Sequence, residues 1–120
     1  MDEQPISKPE LSAAIDKLWA RFLPEIRERV AQLETAAAAF AGDTLTSDQR
    51  YGASASAHKL AGTLGTFGLT RGTVLARELE LMYSEDAGPD REMGAQLSSI
   101  AAELRAIVEG RTSTGLPGKL

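Results

Sequence analysis

Apolar residues recur at helical spacing along almost the whole of this 120-residue sequence, and no stretch alternates as a β-strand would. This periodicity predicts an all-α fold. The predicted loops between long amphipathic helices are short, which favours an antiparallel four-helix bundle. We expect an additional short N-terminal helix beside the bundle, with an apolar face of Ile15, Leu18, Trp19, Phe22 and Leu23.

Proline and glycine residues set the expected limits of the helices. The short first helix begins near Pro9, and it breaks or kinks just before Pro24 because proline cannot donate a backbone hydrogen bond. Glycine and capping residues then place the four bundle helices at about residues 24–41, 47–65, 70–85 and 89–109. The inward residues of the last two helices are expected to be Val74, Leu75, Leu79 and Met82, and then Met93, Leu97, Ile100, Leu104 and Ile107.

Length and charge limit the kinds of protein that this sequence can form. A chain of 120 residues builds one core, which we place at residues 9–109, with a flexible N-terminus at 1–8 and a flexible tail at 110–120. The net charge of −4 argues against nucleic-acid binding, which usually needs a basic face. Without cysteine and with one histidine, neither a usual zinc site nor any other cofactor is expected.

The sequence also lacks the features of membrane and secreted proteins. No apolar run approaches the roughly 18 residues that a membrane span requires, and the charged, proline-bearing start differs from a secretory signal. We therefore expect a cytoplasmic protein without membrane association.

His58 is the residue that indicates a function. At about 100° per residue, its direction is roughly opposite to the expected core face of the third helix, formed by Ala53, Ala57, Leu60, Leu64 and Phe67. This direction argues against a buried, structural histidine. Imidazole is a competent nucleophile near neutral pH because much of it is unprotonated there.

Small residues surround His58 on its expected outer face, where a solvated helix would ordinarily carry long charged side chains. Glycine inside a helix lowers the stability of that helix by roughly 1 kcal/mol relative to alanine. The presence of Gly62 in the helix therefore needs an explanation. A bare surface would let the backbone of another protein approach the imidazole closely, as an in-line phosphoryl transfer requires. We call this set the docking strip: Ser54, Ala55, Ala61, Gly62 and Gly65.

The segment from Ala57 to Gly68, AHKLAGTLGTFG, closely resembles the signature of histidine-containing phosphotransfer domains. The resemblance implies that His58 accepts a phosphoryl group, Leu60 is the core leucine, Gly62 is the glycine one turn later and Gly68 closes the helix. It further implies a helical bundle in a phosphorelay, whose partners are receiver domains of response regulators or a hybrid histidine kinase. No kinase activity is implied, and the sequence has no G-x-x-x-x-G-K-[ST] loop.

The sequence departs from the family pattern at Ala61, where the family often has lysine. Lys59 is the nearest cation and a candidate to neutralise phosphate, although its direction differs by about 160° from that of position 61. Its alternative role is that of a solvated surface lysine. Arg50 and Arg71 are more simply explained as exposed charges at helix ends.

Two other functions remain as alternatives at this point. A non-catalytic helical interaction bundle would explain the fold but leave the docking strip unexplained. A hydrolytic or metal enzyme would need converging ligands or a nucleophile with a base, and Glu78 and Glu80 do not share a helical face. The resemblance also covers the phospho-accepting domain of chemotaxis-type kinases, which is a further alternative.

Overall fold

The computed structural model describes residues 7–84 and 88–114, and it is helical with no strand in that part of the chain. Four α-helices follow one another, with a short 3₁₀ turn at Arg91–Met93 before the last. They are α1 (Lys8–Ala41), α2 (Ser47–Thr66), α3 (Thr70–Ser84) and α4 (Gly94–Thr114). The predicted all-helical fold is confirmed.

Helix α1 is a single helix of 34 residues that runs through Pro24, so the prediction of a separate short N-terminal helix is wrong. Proline removes one intrahelical hydrogen bond, a loss that packing on both sides of it offsets. Before Pro24, the Trp19 ring lies edge-on to Phe67 at 5.1 Å, and after it Ile26 is buried in the core. Ser7 caps the start of the helix, where its hydroxyl accepts from the Glu10 amide.

Local signals placed the ends of α2 correctly. Thr46 and Gln49 form a reciprocal capping box, in which each side chain accepts from the backbone amide of the other residue. At the C-terminal end Gly68 has a φ of +74°, a left-handed conformation that favours glycine. The α2–α3 connection is therefore tight, and it brings these two helices together along their length.

Helix α4 differs from the prediction at both ends. It begins at Gly94 rather than near residue 89, and it continues past Gly110 to Thr114, where a flexible tail was expected. Contacts with α1 hold this last turn: Arg111 pairs with Asp16 at 2.9 Å, and Thr112 accepts from the Trp19 indole at 3.0 Å. The expected tail residues 115–120 and N-terminal residues 1–6 lie outside the described residues.

One core joins all four helices, and most expected core positions are buried. Helix α1 packs against α4 and α2, and α2 makes its most extensive contact with α3. Of the inward residues expected on the last two helices, Val74 is exposed, and Met82, Met93 and Ile107 are only half-buried. Val108 is fully buried beside Ile107. On the first half of α1, Trp19 and Leu23 are buried, whereas the rest of the expected apolar face is exposed: Ile15, Leu18 and Phe22.

Candidate functional site

His58 lies in the middle of α2 on the surface of the bundle, as its helical position predicts. Its side chain is 69% exposed. The opposite face of the helix supplies core residues, which are all buried: Ala53, Ala57, Leu60 and Leu64. The imidazole is therefore presented to solvent from a helix that is fixed by its own packing.

The His58 ring is held from the neighbouring helix by Glu80 of α3. Its Nδ1 lies 2.8 Å from Glu80 Oε2, and the Glu80 side chain is largely shielded from solvent. A carboxylate can only accept a hydrogen bond, so in the neutral imidazole this contact favours the tautomer with its proton on Nδ1. The Nε2 atom then carries the free lone pair. Ser54 Oγ donates to the Glu80 backbone carbonyl at 3.4 Å, which ties α2 to α3 at this level.

Glu80 is a site residue that the sequence analysis missed. From its position on α3 alone, Glu80 is expected to be a solvated surface charge. Helical spacing does not indicate which residue of another helix it contacts. The proximity arises from the tight α2–α3 packing. Thr73 Oγ1 donates to the Ala61 carbonyl at 3.3 Å, one turn after His58, and this contact sets the level at which α3 passes α2.

A shallow depression lies beside His58 between α1 and α2. Its rim consists of His58, Lys59, Gly62, Thr63 and Thr66 from α2, with Glu25 and Arg29 from α1. Lys59 is exposed there. Arg29, a second cation that the sequence analysis did not select, is largely shielded and pairs with Glu25 at 2.9 Å. The depression is thus lined by two cations beside the imidazole, of which Lys59 is exposed and Arg29 is paired with a carboxylate.

Not every residue of the predicted docking strip lies at the surface. Ala55, Gly62 and Gly65 are exposed, and Ser54 is half-buried. Ala61 is 2% exposed and belongs to the core, so its predicted outward position is wrong. The reason is geometric, because residues three positions apart differ by about 60° around a helix and Ala61 turns towards α3.

Among the glycines of the strip, only Gly62 has open space where a side chain would be. A Cβ atom at Gly62 would meet nothing within 4 Å, whereas one at Gly65 would lie 3.4 Å from Thr73 Oγ1. A side chain at Gly65 would therefore touch α3 at the near limit of ordinary van der Waals contact, whereas nothing packs against position 62.

The other charges considered from the sequence serve helix packing. Arg71 forms a two-point contact with Glu103 of α4, and this hydrogen bonding lowers the pKa of the Glu103 carboxyl. Arg50 donates to the Tyr83 carbonyl at 2.9 Å. Across the described residues, no group of three or more His, Cys, Asp or Glu is placed to hold a metal ion. In the same part of the chain, no helix is both long and apolar enough to cross a membrane.

Comparison with known proteins identifies the family of this chain. Residues 17–110 match the family described as Hpt domain. The chain belongs to the Hpt domain family. Protein RcaC of Microchaete diplosiphon is 36% identical over 74 residues, which is 62% of this chain and 11% of RcaC. The Hpt domain thus corresponds to a small part of that relative. No solved structure matches this chain.

The family match includes every residue of the site around His58, from Glu25 on α1 to Glu80 on α3. Membership gives this Hpt domain a histidine phosphotransfer role in phosphorelay signalling.

Proposed function

We propose that His58 is the phospho-accepting residue of this Hpt domain. It takes a phosphoryl group from the phosphoaspartate of a receiver domain, or from a hybrid histidine kinase, and passes it to another receiver domain. One observation carries the proposal: the exposed imidazole is held through Nδ1 by Glu80, which leaves Nε2 free towards solvent.

The transfer balances without any further reagent. The Nε2 lone pair attacks phosphorus in line with the aspartyl oxygen, a nitrogen–phosphorus bond forms, and the phosphorus–oxygen bond breaks to release the aspartate carboxylate. No proton has to leave Nε2, because the ring proton is on Nδ1. As the ring gains positive charge, the Nδ1–H donates more strongly to Glu80, which stabilises the transition state. The return step is the reverse.

Arg29 and Lys59 are proposed to neutralise the phosphoryl group. Both line the depression beside His58, and they come from different helices. The family often has a lysine three residues after the histidine, where this chain has the buried Ala61. A guanidinium on α1 supports the same electrostatic role from the other side of the depression.

The receiver is proposed to dock over the exposed part of the strip, which consists of Ala55, Gly62 and Gly65 with Ser54 at its edge. Close approach of a partner backbone suits the open space above Gly62. In-line transfer needs this approach, because the reacting atoms must come within about 3–3.5 Å.

We further propose that the four helices form an antiparallel bundle. In support, residues early in α1 pair with residues late in α4: Asp16 with Arg111, Arg27 with Glu109 and Glu34 with Arg105. Helices α2 and α3 follow the same order, from the Arg50–Tyr83 contact to the Ala61–Thr73 contact.

Incubation with a labelled phosphorylated receiver domain tests the phosphotransfer proposal. The wild-type chain should acquire an acid-labile phosphate on its single histidine, and His58→Gln should acquire none. Because His58 is exposed, the substitution should change the free energy of unfolding by less than about 0.5 kcal/mol. Labelling of the substituted chain would refute the assignment. A wild-type chain that binds receivers without acquiring phosphate would favour the non-catalytic interaction bundle.

A further inference from the structure

The ion pair between Glu25 and Arg29 places a carboxylate in the depression beside His58. Both side chains line this depression, and Arg29 Nη2 donates to Glu25 Oε1 at 2.9 Å. On the proposed function, a phosphoryl group on His58 faces the same depression. The carboxylate repels such a group, and it already holds one of the cations that would neutralise it. Phosphate neutralisation alone therefore does not explain Glu25.

The contact between Glu25 and Arg29 is easily exchanged. The two residues are one turn apart on α1 and share a single hydrogen bond, and the Glu25 side chain is 59% exposed. Arg71 and Glu103, by contrast, join two helices through two hydrogen bonds. An exposed pair within one helix contributes little to stability. A competing anion can therefore displace Glu25 from the guanidinium.

The packing of α1 on α2 brings Arg29, rather than Glu25, level with His58. Ser56 Oγ donates to Gln32 Oε1, and this contact joins the two helices at one level. On the antiparallel order proposed above, three residues back from Gln32 correspond to three residues past Ser56, which is the turn that carries His58. Glu25 is four residues farther along α1, a distance of about 6 Å. The contact with Glu25 therefore draws the Arg29 guanidinium away from the level of His58.

We propose that Glu25 is a positioning residue that competes with the phosphoryl group on His58 for the guanidinium of Arg29. In the unphosphorylated chain, Arg29 pairs with Glu25. After transfer, the guanidinium exchanges the carboxylate for the phosphoryl oxygens, to which it can donate two parallel hydrogen bonds. The lost contact with Glu25 offsets part of the stabilisation that the new contact provides. This inference rests on the proposed function and adds a residue to it.

The competition favours onward transfer of the phosphoryl group. The direction of exchange between His58 and a receiver depends on the difference in free energy between phosphohistidine and phosphoaspartate. Full neutralisation by Arg29 would stabilise the phosphohistidine and retain the group on this chain. Because Glu25 weakens that contact, the phosphohistidine remains a better donor. By linkage, the phosphoryl group weakens the pair of Glu25 and Arg29 by the same factor.

Forward and reverse single-turnover transfer with one receiver domain measures the competition, because the ratio of the two rate constants is the equilibrium constant for phosphorylation of His58. Glu25→Gln keeps the size of the side chain and removes its charge. It should raise this equilibrium constant about two- to fivefold, the range expected for an exposed ion pair. Glu28→Gln is the matched control, because it removes the same charge from an exposed position on α1 that does not line the depression. It should leave the equilibrium constant unchanged, and an equal increase in both variants would overturn the competition.

A double-variant cycle tests whether Glu25 acts through Arg29. Arg29→Gln should lower the equilibrium constant. Adding Glu25→Gln to that chain should then cause no further change, because the carboxylate has no guanidinium left to hold. An increase of the same size with and without Arg29 would mean that the carboxylate repels the phosphoryl group directly, and it would overturn the competition.

A purely structural role of the ion pair predicts a different result for Glu25→Gln. Loss of helix stabilisation would lower the melting temperature without raising the amount of phosphohistidine, whereas competition predicts nearly wild-type melting and more phosphohistidine at equilibrium. A wild-type equilibrium constant in Glu25→Gln would overturn the competition and leave the phosphotransfer proposal intact. A wild-type chain that acquires no phosphate from the receiver would overturn both.

Discussion

Replacing Glu80 by alanine removes the carboxylate that accepts from His58 Nδ1 at 2.8 Å. During phosphoryl transfer the imidazole gains positive charge, so this hydrogen bond should stabilise the transition state more than the ground state. Hydrogen bonds with charged groups contribute about 1.5–3 kcal/mol. Because the His58 side chain is 69% exposed, the lower end applies. A loss of about 1.5 kcal/mol corresponds to a roughly tenfold slower transfer.

Rapid mixing with labelled, phosphorylated receiver domain measures this effect. The receiver is in excess, and its concentration is varied so that docking and chemistry separate. The maximal rate constant should fall about tenfold in Glu80→Ala. The receiver concentration at half-maximal rate should stay the same, because the Glu80 side chain is largely shielded from solvent. Glu80→Gln keeps an acceptor oxygen without the charge and should give an intermediate rate.

Glu78→Ala is the matched control, because it removes the same charge from an exposed position on the same helix. It should leave both kinetic constants unchanged. Equal slowing by the two substitutions would mean that the charge of α3 acts at long range rather than through the hydrogen bond. Wild-type rates in Glu80→Ala, with thermal unfolding intact, would refute the positioning role.

Three further predictions concern charge, docking and alkaline stability. Arg29→Ala and Lys59→Ala should each slow transfer several-fold at low salt and less at high salt; unchanged rates at low salt would contradict phosphate neutralisation. Gly62→Gln should raise the unfolding free energy by some tenths of a kcal/mol yet slow transfer, whereas Gly52→Gln, also into open space, should stabilise without slowing. Burial raises the pKa of Tyr83 from 10.0 to about 12, so its contribution to stability is complete below pH 10 and lost towards pH 12. Thermal unfolding of Tyr83→Phe should therefore show a smaller alkaline decrease than wild type, and identical pH profiles would contradict this.

Properties that depend on one helix alone could be predicted from the sequence. Helical spacing gave the outward direction of His58 and the buried face of α2, because side-chain direction follows from backbone geometry. The Thr46–Gln49 capping box is likewise encoded within one turn. The same spacing placed Ala61 at the surface, where the structure buries it. Helical spacing does not indicate how much of α2 is covered by the neighbouring helix α3.

Properties that depend on contacts between helices could not be predicted in this way. Pro24 and Gly110 are strong local stop signals, yet α1 and α4 pass through them because tertiary packing exceeds such preferences. Glu80 and Arg29 reach the site from α3 and α1. Their roles depend on the relative level of two helices, which a single sequence does not give.

More than two-thirds of the His58 side chain faces water, and the depression beside it is open. Enclosed active sites exclude water and so protect reactive intermediates from hydrolysis. On the proposed function, this domain supplies half of such an enclosure, and the docked receiver supplies the other half. Between encounters, a phosphoryl group on His58 would be lost to water at a rate set by the nitrogen–phosphorus bond itself. The abundance of receiver would then determine how long the signal stays on the histidine.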